Sequence, residues 1–293
     1  MALRIGISGW RYKPWRGVFY PPDLVQRREL EYASRALRSI EINGSFYSLQ
    51  SPKSWKEWHD ATPEDFVFAV KGPRYITHIL RLREAALPLA NFFASGLLQL
   101  GPKLGPVLWQ LPPSLKYQPA ALEAFLKQLP HDTDAALGLA KRHDPERMRG
   151  RTALVEGATR PVRHALEVRN ETFADPRFIR QLRRHGVALV IADTAGKFLY
   201  GEDITADFAY LRLHGDEELY TSGYSDQALD HWRRRIQRWA AGGEPRDARR
   251  LGTLAARRRR QRDVYCYFDN DAKVHAPFDA MRLAGTLGAS AQA

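Results

Sequence analysis

Cys266 is the only cysteine in the chain, and that scarcity excludes an internal disulfide and any zinc site built from thiolates. Its setting in VYCYF marks it as a small buried hydrophobe rather than a nucleophile. No apolar run reaches the roughly 18 to 20 residues of a membrane helix, and residues 1–9 lack the apolar stretch of a secretory signal, so a cytoplasmic protein without a membrane partner is expected. Phosphate-cradling motifs are missing too. GPKLGP, 101–106, has neither the Lys-Ser/Thr pair of a P-loop nor its strand-to-helix context, and no elbow motif presents a serine nucleophile. No nucleotide cofactor is therefore expected.

Acidic residues are comparatively few, 33 against 45 Lys and Arg, for a net charge of +12. The excess is uneven: residues 243–263 hold eight Arg and three acids. That segment reads either as a solvated, mobile loop or as an arm for a polyanion such as nucleic acid, with Arg257–Arg260 as its contact.

With 44% hydrophobic residues, the 293-residue chain can bury a sizeable core. Short runs rich in β-branched residues predict strands over 3–8, 39–43, 66–71, 106–111, 164–169, 187–193, 208–214 and 264–269. Helical patterns lie between most of them, over 24–37, 51–60, 85–100, 119–129, 175–185, 225–241 and 277–287. Residues 194–206 are too short and loop-like for a full helix. Eight strand-plus-connection units predict an α/β fold, a (β/α)8 TIM-barrel-like single domain over 1–293 with insertions at 131–163 and 243–263. A helix is expected near 133–142 in the first insertion. A doubly wound open sheet is the alternative.

A barrel makes a checkable statement about which residues meet, because alternate strand residues face inward and active sites lie at the strands' C-terminal ends. That parity turns inward Glu41 and Asn43 in SIEIN, Glu167 and Arg169 in LEVR, and Tyr210, Arg212 and His214 in YLRLH. Lys71, Gln110 and Asp269 close their own strands, while VALVIAD is apolar on both faces and leaves the direction of Asp193 open. Three cations suit an anionic substrate, phosphate- or carboxylate-bearing, clamped by Lys71, Arg169 and Arg212. Glu167 and Glu41 would supply or position a base, Glu167 if burial raises its pKa, and His214 would shuttle a proton. The competing expectation is a structural network of ion pairs.

A divalent metal is a further possibility. Glu167, Asp193, His214 and Asp269 end successive strands, an order that resembles the ligand order of sugar-isomerase and apurinic-endonuclease barrels, and would make the protein a metal-dependent hydrolase or isomerase. Arg169 and Arg212 oppose it by pressing positive charge on the cation. Over the same mouth the loop carrying Trp10, Tyr12, Trp15, Phe19 and Tyr20 would arch, beside Phe46 and Tyr47. Its rings would either stack a base or sugar of the substrate or form a dry aromatic cap.

In order, GISGWRYKPWRGVFYPP, SIEINGSFY, FAVKGPRYITH, GPVLWQLPPS, ALEVRNETF, YLRLHG, GYSD and YFDNDAKVHAP resemble the motifs of the YecE-like family, catalogued as domain of unknown function seventy-two. The resemblance runs over roughly 3–285 and implies a TIM-barrel-like fold but no assigned reaction. It implies recurring positions at Trp10, Tyr12, Tyr20, Glu41, Asn43, Phe46, Tyr47, Lys71, His78, Gln110, Glu167, Arg169, His214, Asn270 and Asp271. Two residues depart from it: Asn170 stands where relatives often have His, and Asp269 where many have Asn. The expectation is an enzyme using acid/base or hydrolytic chemistry on an anionic substrate, a small molecule or a nucleic-acid phosphate; a non-catalytic nucleic-acid or phospholigand binding protein is the alternative.

Overall fold

The computed structural model describes residues 1–289. Eight parallel strands, β1 (Leu3–Ser8), β2 (Ser39–Ile42), β3 (Val67–Lys71), β4 (Leu104–Gln110), β5 (His164–Glu167), β6 (Ala188–Asp193), β7 (Phe208–Leu213) and β8 (Asp263–Phe268), close in sequence order into a barrel. β1 pairs with both β2 and β8, which excludes the open sheet. The helices are α1 (Glu29–Ala36), α2 (Gly44–Tyr47), α3 (Pro52–Asp60), α4 (Ala86–Ala94), α5 (Pro119–Leu126), α6 (Thr133–Ala140), α7 (Pro176–Arg184), α8 (Asp226–Ala240) and α9 (His275–Thr286). Among the described residues no helix is long and apolar enough to cross a membrane.

The helix ends follow local chemistry. Ser51 accepts from the Ser54 amide to cap α3, Ser225 caps α8 through the Ala228 amide, and Pro52 and Pro176 open their helices where no amide is needed. Two expected helices are shorter than their apolar patterns. The 24–37 pattern opens with a 3-10 turn over Gln26–Arg28 and becomes α-helical only at Glu29, and the 85–100 pattern breaks at Gly96, whose φ of +99° no longer continues α4. Inside the barrel, Ala69, Leu108, Ala165, Val190, Tyr210 and Tyr267 form a packed core of alternating small and large residues. Gly6 is required there, since a Cβ would collide with the Ser39 carbonyl of the paired strand.

β6 and β7 are joined by 194–207 with no helix, which leaves a gap between α7 and α8. The basic insertion fills it. Asp203 accepts from the amides of Leu251 and Gly252 at 2.6 and 3.1 Å, and Glu202 pairs with Arg235 at 2.6 Å while Arg235 reaches Asp247 at 2.8 Å. The stretch 244–252 is thus a structural plug, a correction to its reading as a solvated, mobile loop. Arg257–Arg260 remain exposed beyond it, beside Gly242 at the C-terminal end of α8 and so at the barrel end opposite the mouth. The first insertion packs α6 against α4, with Asn91 accepting from the Asp144 amide at 2.9 Å.

Candidate functional site

Parity brings most of the expected residues to the C-terminal end of the barrel, with Arg212 at their centre. Its guanidinium donates to Glu41 Oε1 and Oε2 at 2.9 to 3.2 Å, to Glu167 Oε2 at 2.7 Å, to Asp269 Oδ2 at 2.9 Å and to Ser8 Oγ at 3.1 Å. Glu41 is further bound by the hydroxyls of Ser8 and, at 2.6 Å, Tyr210. Arg212, Glu41 and Glu167 are wholly buried. Such a saturated cluster holds the barrel top together and leaves no donor of Arg212 for a substrate. The donors of Arg212 are therefore spent within the protein, unlike those of a jaw free to clamp an anion.

Glu167 is engaged on both oxygens, Oε1 by Arg169 Nε at 2.8 Å and Oε2 by Arg212. Burial alone would raise its pKa, but the charges of Arg169, Arg212, His214 and Lys71 outweigh burial and hold it well below the usual carboxylate range. A base needs a pKa near the working pH. The expected raised pKa is reversed here, because the burial that would raise it also brings the arginines into contact. Asp269 is held low in the same way, burial being overcome chiefly by Arg212 and by His214.

His214 is buried beneath the Tyr220 ring, 5.2 Å between centroids. Its Nε2 lies 3.4 Å from Arg212 Nη1, and its other ring nitrogen, Nδ1, faces Asp269. That nitrogen is 3.0 Å from Asp269 Oδ2, close enough for an ion pair but off the direction of a hydrogen bond. The four metal candidates do not converge. Ala188, Val190 and Ala192 face the barrel interior, so Asp193 points outward and accepts from the Tyr224 hydroxyl at 3.0 Å. Among the described residues no three His, Cys, Asp or Glu side chains are grouped to hold a metal ion.

Lys71 differs from the other cations. Its Nζ lies over the Phe46 ring, 4.3 Å from the centroid, and forms neither a hydrogen bond nor an ion pair with any described residue. Burial and the charge of Arg212 lower its pKa to about 8, against the opposing pull of Glu41, Asp269 and Glu167. Arg169 gives one edge to Glu167 and one nitrogen to the Tyr220 hydroxyl at 3.3 Å, with its plane 4.8 Å from the Phe198 ring. His78, edge-on to the Phe46 ring at 5.1 Å, is pushed down to about 4, first by burial and then by the charges of Lys71, Arg74, Arg169 and Arg81.

Asp271 behaves in the opposite way to Glu167. Burial and the neighbouring charge of Asp269 raise it to about 6, making it the mouth carboxylate suited to exchanging a proton near neutrality. Tyr12 beside it donates to the Ser8 carbonyl at 2.6 Å, while Asn43 donates to Ser8 Oγ at 3.1 Å and keeps a buried Oδ1 without a partner.

The aromatic loop is a cap rather than a stacking platform. Trp10, Trp15, Phe19 and Tyr20 are buried, and Tyr20 donates to the Trp10 carbonyl at 2.6 Å. Trp15 packs on Tyr12, Phe19 and Tyr20 at 4.7 to 6.1 Å, while Trp10 meets Trp58 edge-on at 5.4 Å. Gly9, with φ of +84°, turns the chain into the loop. Asn270 is committed to Ser222 O and Asp279 at 3.0 and 2.9 Å, and Gln110 folds back on the Leu111 carbonyl at 2.9 Å. Tyr47 is 70% exposed and makes no hydrogen bond to the described mouth residues. Ser8 and Tyr220 were missed by the sequence reading: alternation from Gly6 gives Ser8, whereas nothing in EELYTSGY singles out Tyr220.

The model of a family described as Protein of unknown function DUF72 matches residues 4–293. Among curated proteins, UPF0759 protein YunF of Bacillus subtilis is 29% identical over 116 residues, 38% of this chain and 40% of its own length. UPF0759 protein YecE of Escherichia coli K12 is 28% identical over 144 residues, 48% of either chain. The match therefore spans less than half of each of these relatives. A DUF72 family protein from Thermotoga maritima superposes with a TM-score of 0.72 at 24% identity, covering 98% of this chain and 100% of that one. Another from Enterococcus faecalis gives 0.65 at 15% identity, covering 98% and 95%. At such identities the likeness establishes a shared fold.

Proposed function

The chain belongs to the DUF72 family, whose name prescribes no reaction, and from the mouth geometry we propose that it is an enzyme acting on an anionic substrate at the C-terminal end of the barrel. Lys71 and Nη1 of Arg169, the guanidinium nitrogen without a hydrogen bond to a described residue, take the phosphate or carboxylate of that substrate, and Asp271 exchanges the proton in acid/base or hydrolytic chemistry. The observation that carries the reading is the nearly buried Lys71 ammonium, which has a ring beneath it and no direct ion pair with a described residue, its carboxylate neighbours Glu41, Glu167 and Asp269 being engaged by Arg212. Burying a charge without a direct partner is costly, and a bound anion lowers that cost.

Sulfate tests the clamp, because its own charge is constant from neutral to alkaline pH. Affinity is expected to hold near pH 7 and to fall as pH rises through about 8 and Lys71 loses its proton. Binding that is absent, or that stays flat up to pH 9.5, contradicts the proposal.

A second reading rests on Arg257–Arg260, four consecutive exposed arginines for which no ion pair is formed with a described residue. They offer a polyanion such as nucleic acid a contact at the opposite end of the barrel, physically separate from the mouth.

A further inference from the structure

The largest cavity among those described lies beside the charged cluster rather than over it. It is an open groove of about 820 Å³, within the range of small-molecule sites, walled chiefly by Phe46, Tyr47, Tyr75, Ile76, Ile79 and Leu87. Tyr47, Tyr75, Ile79 and Leu87 are exposed there although large and apolar, and a contiguous patch of that kind rimmed by charge marks a binding surface. Its backbone is irregular. Tyr75–Ile79 is a single π turn, and Arg81, Leu82 and Glu84 follow at φ of 52°, 68° and 47°. Non-glycine residues in the left-handed region carry strain, which persists at sites that use the resulting shape.

The charge of the groove is also one-sided. Arg74 and Arg147 line it without an ion pair to any described residue, Arg147 lying 5.5 Å from the Tyr75 ring, and Glu84 is the single acid among the lining residues. Phe46 joins groove to mouth: its ring walls the groove, carries Lys71 Nζ and meets the His78 ring edge-on at 5.1 Å. A wholly apolar ligand would ignore these cations, and a cationic amphiphile would be repelled by them.

We infer that the groove holds the apolar body of the substrate, whose anionic head lies across Phe46 on Lys71 and Arg169, so that the substrate class is an amphiphilic anion. The inference rests on the proposed function for its head group and adds the body.

Calorimetric titration of the full chain with inorganic phosphate and with n-butyl, n-hexyl and n-octyl phosphate separates the two claims. Affinity should rise about fourfold per methylene until the groove is filled. Ile79→Asn and Leu87→Asn change residues that are 58% and 47% exposed and add no charge, so the fold should tolerate both. In these variants the dependence on chain length should collapse while inorganic phosphate binds as before, and Lys71→Gln should weaken every member of the series. Equal affinity for all chain lengths, with inorganic phosphate still bound, overturns the groove and spares the mouth. A chain-length dependence that survives Lys71→Gln unweakened overturns the head-group assignment and leaves Arg74 and Arg147 to hold the anion. A concentration-dependent dimer that blocks the longer chains shows the groove to be covered by a second copy and likewise overturns the inference.

Discussion

Arg212→Met is expected to cost the protein at least about 3–5 kcal/mol of folding stability, read as a lowered denaturation midpoint or as loss of soluble barrel. Arg212 answers three carboxylates at once, and all of its donors but those to Ser8 and His214 end on Glu41, Glu167 or Asp269. Methionine fills similar space and leaves three buried acids without a cation. Two outcomes of the same experiment separate this from a simple packing defect. Adding Glu41→Gln should recover part of the loss, because removing a carboxylate relieves the imbalance. Wild-type stability should also fall steeply in acid: Glu167 and Asp269 are held below their ordinary values, so their contribution is full above the unfolded value of about 4 and is lost as pH falls further. Stability within about 1 kcal/mol of wild type for Arg212→Met would put Arg212 back among the groups free to meet a ligand.

Lys71→Gln is expected to behave in the opposite way, weakening sulfate binding about tenfold to a hundredfold while leaving stability equal to wild type or higher. The asymmetry follows from partners. Lys71 has no hydrogen bond or ion pair with a described residue, and its folded-state pKa of about 8 lies below that of a free lysine. Between about pH 8 and about 10.4 the unfolded chain therefore holds a proton that the folded chain has released, so wild-type stability rises over that window. Lys71→Gln should lack this rise. A variant that loses both binding and several kcal/mol of stability would show that Lys71 serves the barrel rather than a ligand.

Much of the framework is legible in the sequence. All eight strands fall where short β-branched runs lie, because barrel strands are covered on both faces and the apolar runs are sharply bounded. The alternation in SIEIN and YLRLH correctly sends Glu41 and Arg212 into the same interior, where they meet at 2.9 Å. What alternation does not contain is stoichiometry: it brings three cations and three carboxylates to one end without saying which pairs consume each other. Glu167 shows the difference, since its burial was readable but its two arginine partners, and hence the sign of its pKa shift, depend on side-chain geometry. The direction of Asp193 was unreadable for another reason, because apolar residues occupy both faces of its strand. The aromatic loop was ambiguous by composition alone. Rings that stack on a ligand and rings that pack on one another, as Trp15 does with Phe19 and Tyr20, have the same residue content.

The plug formed by 244–252 illustrates the converse. The absence of a helix over 194–206 and the length of the later basic segment were both visible, but their complementarity is tertiary and appears only when Asp203 meets the Leu251 and Gly252 amides. Arg257–Arg260 escape that role, which is why their exposure keeps a polyanion reading open for them and not for the whole insertion.

The most direct test of the mouth assignment is diffraction from crystals of the protein soaked in selenate, an anion whose selenium can be located by its anomalous signal. The account predicts a peak within hydrogen-bond distance of Lys71 Nζ and Arg169 Nη1, absent from Lys71→Gln crystals treated alike. A mouth without anion, with selenate only along Arg257–Arg260 at the other end of the barrel, would contradict it.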